Sequence, residues 1–155
     1  MTQRMRWHEL EATLMDGSRF RLSEHRDKLT IPIFFGRTCA DCRRSAPVLD
    51  HLFERFGTEG FLPVALFVGV LTATERATIT AMNLSFPTGW IPRDQMCRFL
   101  GVPVESKVLG PIHLIVPPGS EQITVHWRDS EVFEEPETAL PAIVDEFFPG
   151  VKVLA

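Results

Sequence analysis

Long apolar runs are absent from this sequence, and cysteine is scarce. No apolar run approaches the roughly 20 residues that a membrane-spanning helix needs, so we expect no membrane span. The chain of 155 residues contains only 3 cysteines, too few for the disulfide framework of a small secreted domain. A chain of this length can bury one hydrophobic core, and we predict a single domain over residues 1–155.

An excess of positive charge is also missing. Sixteen Lys and Arg stand against 20 Asp and Glu, and the basic residues are scattered, so we expect no nucleic-acid partner. The N-terminus as far as Trp7 carries positive charge but lacks the apolar segment of a secretory leader. The chain as written is therefore expected in the cytoplasm. The alternative is the periplasm or another extracytoplasmic compartment, if an export segment has been removed.

A pair of cysteines stands where a strand pattern gives way to a helix pattern. The apolar run Leu29–Phe35 predicts a buried strand, and Cys39 and Cys42 follow it at Cys-x-x-Cys spacing. Apolar residues then recur at helical spacing: Ala46, Leu49, Leu52, Phe53 and Phe56. Two thiols so placed can close a disulfide and reopen it, which predicts thiol–disulfide exchange.

The position of the pair predicts a role for each thiol. The free N–H groups and the dipole at a helix start stabilise a thiolate and lower the pKa of the thiol. Cys39 is the predicted nucleophile, and Cys42 the resolving thiol that ejects the partner from a mixed disulfide. The charges of Arg37, Arg43 and Arg44 favour the thiolate, whereas Asp41, between the cysteines, opposes it.

A metal site is the alternative reading of the same pair. A Cys-x-x-Cys can be half of a zinc site, but this requires two further ligands at matching spacing. Cys97 stands alone and is predicted to fill the core. The histidines are dispersed: His8, His25, His51, His113 and His126. We therefore expect no metal and no other cofactor; among the histidines only His113, just after Gly110-Pro111, is a candidate for a role.

The remaining pattern alternates strands and helices, which predicts an α/β fold. Residues 9–22 resemble a β-hairpin around Asp16-Gly17. The other predicted elements are a strand over Phe61–Val70, a helix from the capping box Thr72–Glu75 to about Met82, a helix over Arg93–Leu100, strands over Ile112–Val116 and Ile123–Arg128, and a final helix capped by Thr138, with Ala142, Ile143, Phe147 and Phe148 on its buried side.

These features resemble the thioredoxin superfamily. The cysteine pair at a strand-to-helix junction is followed by Pro47, and Gly110-Pro111 stands just before the strand Ile112–Val116, where thioredoxins carry a cis-proline. The resemblance implies a thioredoxin-like fold, a central mixed sheet flanked by helices. It also implies that Gly110, Pro111 and Thr38 border the substrate.

The N-terminal hairpin and the αβ insertion before Pro111 are similar to the TlpA/ResA-like branch, which is related to the AhpC/TSA redoxins. This likeness implies a thiol-disulfide oxidoreductase without a cofactor. Its expected partners are proteins that carry a disulfide or a dithiol, and the expected oligomeric state is a monomer.

The sequence departs from this family at several positions. The tryptophan that usually precedes the first cysteine is Thr38, and the acid common three residues after the second is Ser45. Ile33 occupies the position of the buried acid of thioredoxin. Asp41 or Glu105 could take over proton handling.

Two other functions remain open at this point. One is a peroxidase of the peroxiredoxin kind, although Pro32, Thr38 and Cys39 do not have the spacing of that motif. The other is a non-enzymatic domain that binds a metal or a partner protein.

Overall fold

A mixed sheet forms the centre of the computed structural model, which describes residues 2–4, 10–36, 42–105, 110–120, 122–127 and 130–150. Within those ranges the strands are β1 (Thr2–Arg4), β2 (Glu11–Leu14), β3 (Arg19–Arg21), β4 (Leu29–Phe35), β5 (Phe61–Val68), β6 (Thr88–Ile91), β7 (Ile112–Ile115) and β8 (Gln122–His126). The helices are α1 (Cys42–Phe56), α2 (Ala73–Ala81), α3 (Arg93–Leu100), α4 (Glu131–Glu134) and α5 (Pro136–Phe147).

The strands pair in the order β1-β8-β7-β4-β5-β6-β2-β3. β5 runs parallel to both of its neighbours, β4 and β6, whereas β7 is antiparallel to β4 and β8. The N-terminal hairpin of β2 and β3 joins the sheet through β6. The fold class predicted from the sequence, a mixed sheet flanked by helices with an added hairpin and an αβ insertion, is confirmed.

β4 lies in the interior, and all of its residues are buried. A strand covered on both faces is apolar throughout, which explains its uninterrupted hydrophobic pattern. Pro32 interrupts only its pairing with β7. That ladder is formed at Ile33 and Phe34 and returns as a single bridge between Thr30 and Val116, because proline has no N–H to donate.

Apolar side chains pack on both faces of the sheet. One cluster joins α3, through Met96 and Phe99, to Phe34 of β4 and to the hairpin. The opposite cluster joins Ile33 of β4 to α1, α4 and α5. Among the described residues, no helix is long and apolar enough to cross a bilayer.

Several boundaries differ from those predicted. Thr72 precedes α2 but forms no side-chain cap. The last helix starts at Pro136 rather than after Thr138, because the fixed φ of proline suits the first helical turn. Its buried positions are Pro136, Leu140 and Val144. Of the predicted residues, Ile143, Phe147 and Phe148 are half-buried against the same cluster, whereas Ala142 is exposed. The elements β1, β6 and α4 were not predicted.

Gly89 allows the hairpin to approach the sheet. A Cβ added there would lie 2.8 Å from Leu14 Cα and even closer to the carbonyl oxygen of Thr13. We expect Gly89→Ala to destabilise the protein by about 2–4 kcal/mol, because β2 must move away from β6. Urea denaturation measures the loss. Gly150→Ala, which meets no atom within 4 Å, is the control, and equal stability of the two variants would contradict the prediction.

Candidate active site

The candidate site is at the junction between β4 and α1. β4 ends at Phe35, and Cys42 is the first residue of α1. The first turn of α1 contains no acidic residue to oppose a thiolate. Four predicted site residues, Arg37, Thr38, Cys39 and Asp41, lie outside the described residues, and the side chains of Cys42 and Arg43 are not described.

Side-chain contacts hold α1 in place on two sides. Near its start, Arg44 donates a 2.7 Å hydrogen bond to the carbonyl oxygen of Glu134 and lies 3.7 Å from the carboxylate of Glu137. Further along, the Asp50 carboxylate accepts hydrogen bonds from the N–H of Ser85 at 2.7 Å and from its hydroxyl at 2.5 Å. α1 is therefore linked to α4 and α5 near its start, and to the segment before β6 near its middle.

The Gly110-Pro111 segment lies against the end of β4. The peptide bond between the two residues is cis, as the resemblance implies. A Cβ on Gly110 would lie 3.1 Å from the carbonyl oxygen of Phe34 and 3.3 Å from Phe35 Cα. The pairing of Phe34 with Ile112 causes this approach. The sheet thus brings Gly110 and Pro111 beside the strand end that leads to the cysteines.

A cavity of about 150 Å³ opens beside Gly110. Its walls are the last residues of β4 and β5 together with Arg93 and Met96 of α3. Val70, next to the lining residue Gly69, is 80% exposed. The sequence did not predict that α3 lines this cavity, because no local pattern shows which face of the sheet an inserted helix covers.

His113 is fully buried two residues after Pro111, at 0% exposure. Neither of its ring nitrogens has a hydrogen-bond partner in the part of the chain that is described. Burial lowers the pKa of His113 to about 3, and the nearby charge of His126 contributes to the shift. The imidazole is therefore neutral at ordinary pH.

His126 stands opposite His113 on β8 and is half-buried. Its pKa is also lowered, mainly by desolvation. The sequence does not predict this pairing, because a hairpin symmetric about the turn Pro117–Ser120 would place Thr124, not His126, opposite His113.

The positions where the resemblance places an acid carry none, and the carboxylates that could replace it lie elsewhere. Ile33 and Ser45 are buried, so the two expected positions for an acid bear an apolar side chain and a hydroxyl. Glu105 is exposed, and Asp41 lies outside the described residues. The described part of the chain has one buried acidic side chain, Glu75 in the first turn of α2.

Cys97 is a free thiol at 0% exposure inside α3. It packs in the core cluster with Met96 and Phe99, as expected for a core residue. Among the described residues, no three His, Cys, Asp or Glu side chains come close enough together to hold a metal ion.

Solved structures resemble this chain over nearly its whole length. A Chlorobium tepidum protein provisionally named thiol:disulfide interchange protein DsbE matches with a TM-score of 0.72 at 18% identity, covering 89% of this chain and 92% of its own. A thiol:disulfide interchange protein from Bacteroides sp. matches with a TM-score of 0.68 at 17% identity, covering 92% and 88%. The thioredoxin domain of a Bacteroides vulgatus thiol-disulfide oxidoreductase matches with a TM-score of 0.65 at 16% identity, covering 84% and 91%.

The chain has a thioredoxin-like fold. At these identities the likeness establishes the architecture alone. No protein-family model and no curated protein sequence matches the chain. The thioredoxin-like fold predicted from the cysteine pair and Gly110-Pro111 is confirmed, whereas the roles of the individual site residues remain predictions.

Burial of His113 predicts a loss of stability in acid. Its pKa is about 3 in the folded chain and about 6.5 when unfolded, so the unfolded chain binds the proton first as the pH falls. Stability therefore falls as the pH drops from about 6.5 towards 3, by at most about 1.4 kcal/mol per pH unit from this group. We expect His113→Leu to flatten that slope.

Urea denaturation at several pH values between 4 and 7 measures this slope. The control is His51→Leu, at an exposed position of α1. An equally steep acid limb in His113→Leu would show that His113 does not cause it.

Proposed function

We propose that this protein is a thiol-disulfide oxidoreductase that exchanges or reduces disulfides in protein partners. The observation that carries the proposal is the fold of the junction. A Cys-x-x-Cys pair stands between a buried parallel strand and the start of α1, with Gly110 packed against the end of that strand. Several structural relatives are themselves named as thiol:disulfide interchange proteins, which supports the same reaction here.

The proposed reaction has two steps. The thiolate of Cys39 attacks a disulfide of the partner, forms a mixed disulfide and releases one partner sulfur as a thiolate. Cys42 then attacks the sulfur of Cys39, which closes the internal disulfide and releases the second partner sulfur. Two electrons pass from the dithiol to the partner. The positive end of the α1 dipole favours the thiolate, as do Arg37 and Arg43, while Asp41 opposes it.

The surroundings of the site suit a polypeptide partner. The cavity of about 150 Å³ is large enough for a side chain and borders Gly110. Gly110, Pro111 and Thr38 would border the partner chain. Val70 adds an exposed apolar side chain close to the rim, a kind of surface that supports protein contacts. We infer a monomer that acts on disulfide-containing or dithiol proteins.

The two cysteines should contribute differently to the reaction. We expect Cys39→Ser to abolish reduction of insulin by dithiothreitol above background, because the nucleophile is lost. Cys42→Ser should keep the first step and accumulate the mixed disulfide. Cys97→Ala is the matched control, because this thiol lies in the core away from the junction.

Full activity of Cys39→Ser would contradict the proposal. The same preparations test the two other functions left open by the sequence. Peroxide consumption that depends on Cys39 would indicate a peroxidase, and stoichiometric metal in the freshly purified protein would indicate a metal-binding domain.

Gly110 leaves little space between its own backbone and β4. We expect Gly110→Ala to lower kcat/KM for a peptide disulfide about 3- to 10-fold, mainly through KM, because the new methyl group pushes the segment away from the carbonyl oxygen of Phe34. Steady-state kinetics measure the effect, with Gly150→Ala as the control. An unchanged KM would show that this segment does not border the substrate.

A further inference from the structure

Arg93 is the one charged side chain among the described residues that line the cavity beside Gly110. We call this space the Gly110 cavity. Its other described walls are glycines and apolar side chains, such as Phe35 and Met96. A guanidinium beside apolar walls is screened less than one surrounded by water, so it attracts an opposite charge more strongly. The cavity therefore suits a side chain that carries a negative charge.

The order of the strands brings Arg93 to this end of the sheet. β4, β5 and β6 are parallel, so their C-terminal ends lie along the same edge. α3 follows β6 after a single residue, Pro92, which makes Arg93 the first residue of the helix. The N–H of Gly69 donates a 2.9 Å hydrogen bond to the carbonyl oxygen of Ile91 and joins the ends of β5 and β6. In open α/β sheets, ligands bind in the crevice outside the C-terminal ends of the parallel strands.

Glycines leave the Gly110 cavity open. Gly36, Gly69 and Gly110 all line it and contribute backbone atoms only. A Cβ added to Gly36 would meet no atom of the described chain within 4 Å. The volume of about 150 Å³ equals that of about five water molecules at roughly 30 Å³ each, which is room for one side chain of moderate size.

The Gly110 cavity is close to the reactive pair along the chain. Cys39 is three residues beyond Gly36, and an extended chain spans at most about 3.6 Å per residue. The two Cα atoms are therefore within about 11 Å of each other, whatever path the chain takes between them. A partner polypeptide has the same reach, so a residue within about three positions of its reactive cysteine can enter the cavity while that cysteine is bonded to Cys39.

We propose that Arg93 selects partners that carry an aspartate or glutamate within about three residues of the reactive cysteine, by binding the carboxylate in the Gly110 cavity. The inference rests on the proposed thiol–disulfide exchange and names the class of its substrates. A guanidinium has five N–H donors in a planar fork. It can hold a carboxylate through two parallel hydrogen bonds and keep donors for a neighbour within its own chain. Arg93 determines specificity and takes no part in the exchange of sulfur bonds.

The test compares symmetric disulfides of short peptides that contain one central cysteine. A single glutamate is placed in turn at each of the three positions on either side of the cysteine, and glutamine at the same position is the reference. Reduced protein reacts with each disulfide in a single turnover, which is quenched with acid and analysed by mass. Each rate constant is divided by that of dithiothreitol with the same peptide, which corrects for the effect of the charge on the disulfide itself. We expect glutamate to exceed glutamine about 10-fold at one or more of these positions.

Variants of Arg93 assign this preference to its side chain. With Arg93→Gln, the favoured glutamate peptide should react about 10-fold more slowly than with the wild type, whereas the glutamine peptide should keep its wild-type rate. Arg93→Glu should reverse the preference and favour lysine at the same position. If Arg93→Gln does not fold, Arg93→Lys replaces it, and we expect the preference for glutamate to fall about 3-fold because lysine keeps the charge but lacks the fork.

Arg98→Gln is the matched control, because it removes the same charge from the same helix. Arg98 does not line the Gly110 cavity, and its exposed guanidinium lies 4.0 Å from the carboxylate of Asp94. This variant should keep the wild-type preference for glutamate. An equal loss of preference in Arg98→Gln would show a general attraction between charges and overturn the role of Arg93.

The remaining results separate the inference from the proposed function. Equal rates for glutamate and glutamine peptides with the wild-type protein would overturn the inference alone. So would an Arg93→Gln variant that slows both peptides by the same factor, or an Arg93→Lys variant with an unchanged preference. A wild-type protein that reduces none of the peptides would overturn the proposed exchange and the inference with it.

Discussion

The pairing of β4 on both of its edges is the constraint on which the rest of the structure depends. β4 aligns with β5 over its whole length and with β7 at Ile33 and Phe34. Because its side chains pack in clusters on both faces, a one-residue slip would move each of them to the opposite cluster and disrupt the packing of both. Its C-terminal end is therefore fixed, and that end determines where α1 begins and where Gly110 makes its close approach.

The sequence predicts the elements whose signals are local. The turn at Asp16-Gly17, the continuous apolar pattern of β4 and the helical spacing of α1 each lie within a short window. β6 was missed because its four residues include Gly89 and are bounded by Pro87 and Pro92, a composition typical of turns. It is a strand only because β5 and β2 pair with it on either side, and neither is close in sequence.

In the candidate site, too, the local motifs can be predicted from the sequence, whereas the contacts between distant elements cannot. The cysteine spacing and the proline after Gly110 are visible in the sequence, because each motif is a few residues long. The contact of Gly110 with Phe34 depends on the register between β7 and β4, and the wall supplied by Arg93 depends on which face α3 covers. Both features depend on contacts between residues that are far apart in the sequence, so no short stretch of sequence predicts them. The pairing of His113 with His126 also depends on the register between β7 and β8, which the turn at Pro117–Ser120 does not predict.

The core around β4 shows why a buried histidine is tolerated there. An ionised carboxylate at Ile33, the position where the resemblance places an acid, would need a partner to offset the loss of hydration. A neutral imidazole on the neighbouring strand avoids that charge at ordinary pH, and its burial becomes costly only when acid begins to protonate the unfolded chain.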